Sequence, residues 1–132
     1  MKTKNKIYII DVTNRDGVQT SRICLSKLEK TMINLYLNEM GVFQSEFGFP
    51  VTRHETNYLN ANLSLVKKGA ISRMRLGGWM RAIVADVDAA FKAVPQLRHI
   101  NLSISTSDQM IRHKFQGKID HRGVIVQMQK AA

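Results

Sequence analysis

Polar side chains that could bind metal ions and carboxylates follow four successive apolar segments of the chain. Each one, taken alone, is also explained by a tight turn or a surface ion pair. Their recurrence at four successive segment ends instead indicates one shared site. They are Asp11, Thr13, Arg15, Asp16 and Gln19 after the first segment, Glu46 at the end of the second, Arg81 after the third, and Ser105, Thr106 and Ser107 at the end of the fourth.

The residue types at these ends favour chemistry on a carbonyl group. Asp11, Asp16 and Glu46 offer the hard oxygen ligands that divalent cations prefer. Arg15 and Arg81 can each hold a carboxylate through two parallel hydrogen bonds. A site of this kind would polarise a carbonyl and stabilise an enolate or alkoxide, as Lewis-acid catalysts do.

Other catalytic chemistries find less support in the sequence. Four histidines are present, but no HxH or HExxH spacing occurs, so a zinc protease is not indicated. The single cysteine, Cys24, is interpreted as a packing residue because no partner for nucleophilic catalysis is evident.

The four apolar segments are predicted to be β-strands. Residues 7–12 form a continuous apolar run, which predicts a first strand buried on both faces. Residues 42–47 and 99–105 predict the second and fourth strands. The third, residues 72–76, is a weaker pattern, and Gly77-Gly78 is expected to follow it.

Helical patterns separate the strands. Capping-box pairs are predicted at Ser26 with Glu29 and at Thr52 with Glu55. The predicted helices are residues 26–41, with an apolar face of Leu28, Met32, Leu35 and Met40, residues 52–68, and residues 82–94 before Pro95. After the fourth strand, residues 108–115 fit either a helical turn or a loop, and residues 123–128 fit either a strand or a helix.

Alternating strands and helices predict an α/β fold with a parallel sheet. Right-handed crossovers leave an open doubly wound sheet or a barrel. The glycine-rich turn typical of nucleotide-binding sheets is absent after the first strand. In both architectures the carboxyl ends of the strands carry the active site, which is where the polar residues fall.

Composition limits the partners and the compartment. The net charge of +10 fits either an anion-binding protein or a merely basic surface. Nucleic acid is an unlikely partner because the basic residues are dispersed and no nucleic-acid-binding motif occurs. No apolar run is long enough to span a membrane, and one cysteine cannot form an internal disulfide, so we expect a cytoplasmic location.

Five motifs together resemble a known enzyme superfamily. The segment Asp11-Val-Thr13-Asn-Arg15-Asp16-Gly17-Val-Gln19 is similar to the opening signature of isopropylmalate synthase, homocitrate synthase and 3-hydroxy-3-methylglutaryl-CoA lyase, with Asn14 in place of a common leucine. The resemblance continues in order over residues 7–118. The later matching motifs are Glu46-Phe-Gly-Phe-Pro50, Arg81-Ala82, Ser105-Thr106-Ser107 and His113-Lys114-Phe115.

This resemblance implies a (β/α)₈ TIM barrel that condenses acetyl-CoA with a 2-oxo acid at a divalent metal (Mg, Mn or Zn). Asp16 would be a metal ligand, and Arg15 and Glu46 would be catalytic. Arg15 would stabilise the charge that develops on the carbonyl oxygen. Glu46 and Arg81 would line the 2-oxo acid pocket. Thr106 or Ser107 would contact substrate, and Gln19 would lie near the acyl-CoA.

Length sets this chain apart from the proteins it resembles. TIM barrels take about 250 residues, so residues 1–132 are expected to form the N-terminal half of the catalytic barrel, with about four βα units. The resemblance places the remaining metal ligands, a His-x-His pair, outside this chain. We therefore expect either a second polypeptide that supplies the rest of the barrel or self-association, and a chain that is inactive alone.

Several activities remain open at this stage. Homocitrate, isopropylmalate and Re-type citrate synthesis are all compatible with the motifs. A retro-aldol lyase of the same superfamily would use the same Asp16 and Arg15. A non-catalytic basic module remains as the alternative outside enzymology.

Overall fold

The computed structural model describes residues 6–132, so the first five residues of the predicted 1–132 unit lie outside the described part. Four parallel strands form one sheet in the order β1-β2-β3-β4. The strands are β1 Ile10–Asp11, β2 Gln44–Gly48, β3 Arg75–Arg81 and β4 His99–Ser103. The helices are α1 Lys27–Glu39, α2 Arg53–Lys67, α3 Val84–Ala93, α4 Asp108–Lys114 and α5 His121–Ala131, and a 3₁₀ turn spans Gly17–Gln19.

The strand order distinguishes between the two predicted architectures. Each strand pairs with the next one in the chain, whereas a doubly wound sheet reverses its order near the middle. The chain therefore has the architecture of a partial TIM barrel, as predicted. The two ambiguous segments are both helical, because residues 108–114 and 121–131 form α4 and α5.

The hydrophobic core lies between the helices and one face of the sheet. Phe47 and Met80 project from β2 and β3 and are fully buried. Leu59 from α2 and Val94 at the end of α3 pack against them. The helices cover this face of the sheet, so the opposite face is the inner, concave face of the partial barrel.

The predicted apolar face of α1 is wrong in most of its members. Leu28 and Met40 are 70% and 76% exposed, and Met32 is also exposed. The buried positions of α1 are polar: Lys30, Asn34 and Asn38. They are buried because their side chains bond to neighbouring elements, so hydrogen bonding outweighs the hydrophobic pattern. Leu35 does pack against the core, as predicted.

The prediction that the first strand is buried on both faces is also wrong. Only Ile10–Asp11 pair as β1, and the apolar side chains around them are exposed, Ile7 by 86% and Ile9 by 63%. The reason is positional: within residues 6–132, β1 is an edge strand with β2 as its single neighbour.

The third strand begins later than predicted and includes Gly77-Gly78. Local contacts explain both glycines. A Cβ on Gly77 would lie 2.8 Å from the side-chain nitrogen of Gln44, and one on Gly78 would lie 3.1 Å from a methyl of Leu97. A side chain at either position would crowd these neighbours, which favours glycine here despite its usual depletion in strands.

One of the two predicted capping boxes forms. Ser26 and Glu29 exchange both capping hydrogen bonds at the start of α1. Thr52 precedes α2 but makes no side-chain capping bond, and Glu55 instead pairs with Lys30 at 3.0 Å. The Glu55 carboxylate, which the sequence pattern assigns to the helix cap, therefore pairs with the buried ammonium group of Lys30.

No helix in residues 6–132 is long and apolar enough to cross a membrane.

Candidate active site

The loop after β1 folds into a tight turn that presents Arg15 and Asp16. The carbonyl of Val12 accepts hydrogen bonds from the backbone N–H groups of Arg15, Asp16 and Gly17 at 2.8–3.2 Å. The carboxylate of Asp11 accepts from the N–H and the hydroxyl of Thr13, both at 3.0 Å. Asp11 and Thr13 thus shape the turn, which is the local role that the sequence left open for them.

Arg15 is held between an aromatic ring and a carboxylate. Its guanidinium carbon lies 3.7 Å from the centre of the Trp79 ring, and its Nη1 donates to Asp16 Oδ1 at 2.6 Å. The Arg15 side chain is 16% exposed, whereas that of Asp16 is 60% exposed. The cation is therefore fixed against β3, and the Asp16 carboxylate faces solvent.

Glu46 belongs to the concave face of the sheet, together with Trp79 and Asn101. Strand register pairs Glu46 with Gly77 and Trp79 with Asn101, and neighbours in register share a face. Asn101 of β4 donates a hydrogen bond to the Glu46 carboxylate. This hydrogen bond joins β4 to β2 across β3. It passes over Gly77, where no side chain stands in the way. A bulge between Glu46 and Gly48 follows, a feature often found beside active sites.

A cavity of about 260 Å³ lies beside Arg15, between the first two strand-to-helix loops. Arg15 and Gln19, both predicted site residues, line it. Lys30 and Glu55 line its far side as an ion pair with both carboxylate oxygens within 3.1 Å of the ammonium nitrogen. The cavity is therefore charged, and it opens next to the Arg15 guanidinium.

The predicted residues of the third and fourth strand ends lie around a second cavity of about 190 Å³. Arg81 and Ser105 line it, and Trp79 borders both cavities. Asp86 of α3 accepts hydrogen bonds from Arg81 Nε and Nη2 at 2.6 and 2.9 Å. These hydrogen bonds, together with the charge of Asp86, raise the pKa of Arg81.

Thr106 and Ser107 lie apart from these contacts. Thr106 is exposed, and the Ser107 hydroxyl accepts a hydrogen bond from the N–H of Met110 as the N-cap of α4. Among the predicted site residues, Arg15 and Gln19 therefore line one cavity and Arg81 and Ser105 line another, and Trp79 borders both.

The three carboxylates predicted as metal ligands, Asp11, Asp16 and Glu46, are each held by a different partner in the structure. Among residues 6–132 no group of three or more His, Cys, Asp or Glu side chains is placed to hold a metal ion. Asp11 is engaged by Thr13 and Glu46 by Asn101. Asp16 is the exposed carboxylate of this set, and its oxygen donors suit Mg²⁺ or Mn²⁺.

Sequence reasoning missed Trp79 as a partner of Arg15 and Asn101 as a partner of Glu46. Trp79 directly follows the glycine pair that the sequence analysis places after the third strand. Had Gly77-Gly78 been placed inside β3, the period-two alternation would have put Trp79 on the same face as the site residues.

Comparison with known proteins agrees with this arrangement. Residues 6–132 match the HMGL-like family. The chain is 66% identical over 123 residues to citrate (Re)-synthase of Dehalococcoides mccartyi, which covers 93% of this chain and 30% of that protein. It is 34% identical to 2-isopropylmalate synthase 2 of Caldanaerobacter subterraneus and 32% identical to homocitrate synthase AksA of Methanothermobacter thermautotrophicus. Each of these two alignments covers 86% of this chain and 28% of the relative.

The chain thus spans about 30% of the length of these relatives. The match runs through all four βα units, including the loop that presents Arg15 and Asp16 and the strand that carries Glu46. The chain therefore belongs to the HMGL-like family, and it is similar to citrate, isopropylmalate and homocitrate synthases.

Proposed function

We propose that this chain contributes the first four βα units of an enzyme of the citrate (Re)-synthase type, which condenses acetyl-CoA with oxaloacetate. The identity of 66% to citrate (Re)-synthase carries the proposal, because the isopropylmalate and homocitrate synthases are about half as similar. The lyase and the basic binding module gain no support, since these relatives are all synthases.

Arg15 is proposed to stabilise the negative charge that develops on the ketone oxygen during carbon–carbon bond formation. The stack on Trp79 and the bond to Asp16 hold its guanidinium in place before substrate arrives. A fixed donor of this kind stabilises the transition state without reorganising during the reaction. Gln19, on the same cavity, is proposed to lie on the acyl-CoA side.

Glu46 is proposed to act on the 2-oxo acid from the concave face. Its carboxylate is oriented by Asn101 and flanked by Trp79. A carboxylate held this way can accept a hydrogen bond or a proton from the reacting groups. Its position on the sheet, rather than on a loop, keeps that geometry rigid.

The carboxylates of the 2-oxo acid require cations, and Arg81 is proposed to supply one. Asp86 binds its Nε and Nη2, which leaves the N–H groups of Nη1 to face a ligand in the adjoining cavity. Thr106 and Ser107, at the end of the same cavity's β4 loop, are proposed to contact the substrate through their hydroxyl groups.

Asp16 is proposed to supply one ligand to a divalent cation, with the other ligands outside residues 6–132. Its exposed carboxylate fits that role. When bound, the metal would polarise the ketone of the 2-oxo acid. Arg15, which donates to the same carboxylate, keeps it turned toward the site.

The rest of the barrel is proposed to come from further residues of the same polypeptide or from a second one. In the described residues β1 and β4 are both edge strands, and strand edges readily pair with added strands. Cys24 is exposed and free, so its interpretation as a packing residue is wrong. A reducing, cytoplasmic location is proposed for this single free cysteine.

The proposal is tested with the completed barrel, either the longer polypeptide that contains this chain or the chain joined by its complement. CoA release from acetyl-CoA is measured with oxaloacetate, 2-oxoglutarate, 2-oxoisovalerate and pyruvate in the presence of Mn²⁺. We expect release with oxaloacetate, its loss in Arg15→Ala, and its retention in Arg122→Ala on the exposed side of α5. Release with another acceptor alone would refute the citrate type, and release with none would refute the synthase.

A further inference from the structure

We propose that Asn14 is a positioning residue that ties the turn carrying Arg15 and Asp16 to helix α1. The catalytic meaning of this tie rests on the proposed function of Arg15. The tie itself is a matter of geometry and can be tested without substrate.

Asn14 is fully buried and uses both hydrogens of its amide group. Its Nδ2 donates to the backbone carbonyl of Lys30 at 2.8 Å and to Asn34 Oδ1 at 2.9 Å. Both acceptors belong to α1, so one side chain fixes the first loop to one turn of that helix. Asn14 is also the direct neighbour of Arg15, so its placement sets where the Arg15 side chain begins.

Asn34 extends the connection to the strand and helix that follow. It donates to the hydroxyl of Tyr58 at 2.8 Å and to Asn62 Oδ1 at 3.0 Å, both on α2. Its own Oδ1 also accepts from the Ser45 hydroxyl at 3.2 Å. Ser45 directly precedes Glu46, so one buried amide lies between the Arg15 turn and the Glu46 strand.

Burial alone does not explain an asparagine at position 14. The two acceptors fix the direction of the amide, and its Oδ1 is then a buried side-chain atom without a hydrogen-bond partner in residues 6–132. The superfamily signature that the loop resembles has leucine here, which would fill similar space with no unpaired polar atom. The unpaired oxygen costs desolvation free energy, which the two hydrogen bonds donated by the same amide must offset.

A role of Asn14 in fold stability alone would predict a different experimental result. Replacement of Asn62 is the matched control that separates the two roles. Asn62 is equally buried and bonds to Thr31 and to the Tyr58 carbonyl at 3.0 and 3.1 Å. It belongs to the same network but does not adjoin the Arg15 turn. If Asn14 only stabilised the fold, replacing either asparagine would have the same kind of effect.

Trp79 gives the readout, because it is the single tryptophan of the chain and Arg15 covers its ring. The emission maximum and acrylamide quenching of Trp79 are measured in the 132-residue chain for wild type, Arg15→Ala, Asn14→Leu and Asn62→Leu, at a concentration where sedimentation gives all four the same association state. Circular dichroism and denaturant unfolding establish that each variant is folded under the conditions used. Arg15→Ala defines the signal of an uncovered ring.

We expect Asn14→Leu to reproduce the red shift and the faster quenching of Arg15→Ala, and Asn62→Leu to keep the wild-type emission. Asn14→Ser, which retains one donor, is expected to give an intermediate shift and serves as the second variant if Asn14→Leu does not fold. Unchanged emission in a folded Asn14 variant would overturn the proposal, as would an equal shift in Asn62→Leu. Failure of the synthase assay would leave this result unaffected, since no substrate is used.

Discussion

At the scale of one residue, Arg15 shows that a positive charge at the right position in the sequence does not by itself define a functional group. Its proposed function depends on the orientation of the planar guanidinium group, and Trp79 and Asp16 set that orientation from two sides. Lysine would keep the charge but lose the flat face that stacks on the ring and the paired donors.

Arg15→Lys is therefore expected to lower kcat for CoA release in the completed synthase by roughly 100-fold, the scale seen when one transition-state donor is lost. The comparison variant is Arg122→Lys, an exposed residue of α5, which should retain wild-type kcat. Retention of most activity by Arg15→Lys would show that charge alone is sufficient there.

Lys30 and Glu55 form a nearly buried ion pair beside the first cavity. The Lys30 side chain is 6% exposed and that of Glu55 is 24% exposed, and the Lys30 ammonium also lies 4.4 Å from the Tyr58 ring centre. Removing one partner leaves the other charge largely buried and unpaired, which is costly, whereas removing both with apolar residues can be nearly neutral.

Lys30→Met is expected to lower the free energy of unfolding by about 2–3 kcal/mol, below the range for a fully buried pair because Glu55 is partly exposed. Lys30→Met with Glu55→Leu should recover most of this loss. Urea unfolding of the chain and its variants measures both values. Additive losses in the double variant would contradict the coupling.

At the scale of elements, the two helix starts that share a sequence pattern differ in their contacts. Ser26 accepts from the N–H of Glu29 at 3.2 Å, whereas Thr52 makes no side-chain capping bond. Ser26→Ala should therefore lower the free energy of unfolding by about 1 kcal/mol. Thr52→Ala is the matched control and should have little effect. Equal losses in urea unfolding would show that the capping box does not stabilise α1.

The same capping box predicts a pH dependence. Hydrogen bonds from the Ser26 backbone and side chain lower the pKa of Glu29 below 4.5. The pKa of Glu29 is therefore lower in the folded than in the unfolded chain. The charged carboxylate stabilises the fold above the unfolded pKa, and this contribution is lost as the pH falls through the folded pKa. The stability difference between wild type and Glu29→Gln should therefore shrink between about pH 6 and about pH 3. A constant difference across that range would exclude this linkage.

At the scale of the whole molecule, the described part of the chain exposes large apolar side chains beside β1 and on α1. Ile7 and Ile9 beside β1, and Leu28 and Met40 on α1, are each more than 60% exposed. Such surface, next to an open strand edge, favours pairing with another chain. We therefore expect the isolated chain to self-associate unless the rest of the barrel is present.

Analytical ultracentrifugation tests this expectation. The chain should sediment as a dimer or larger species at micromolar concentration, and Leu28→Glu with Met40→Glu should shift it toward monomer. Asn57→Glu, an exposed position on α2, should leave the distribution unchanged. A monodisperse wild-type monomer that unfolds cooperatively would contradict the half-barrel interpretation.

The sequence by itself determined the α/β class, the order of strands and helices, and the loop that presents Arg15 and Asp16. These follow from local signals: apolar runs, the Ser26 capping box, and polar residues at strand ends. The motif order also indicated the family that residues 6–132 match.

Tertiary structure decided the features that depend on neighbours distant in the chain. The stack of Trp79 on Arg15, the bond of Asn101 to Glu46 and the pairing of Lys30 with Glu55 each join residues at least 25 positions apart. Hydrophobic periodicity placed the wrong face of α1 inside, because burial there is set by hydrogen-bond partners on the first loop and α2. Periodicity reports how a residue suits an apolar environment; it carries no information about which polar groups the fold brings within bonding distance.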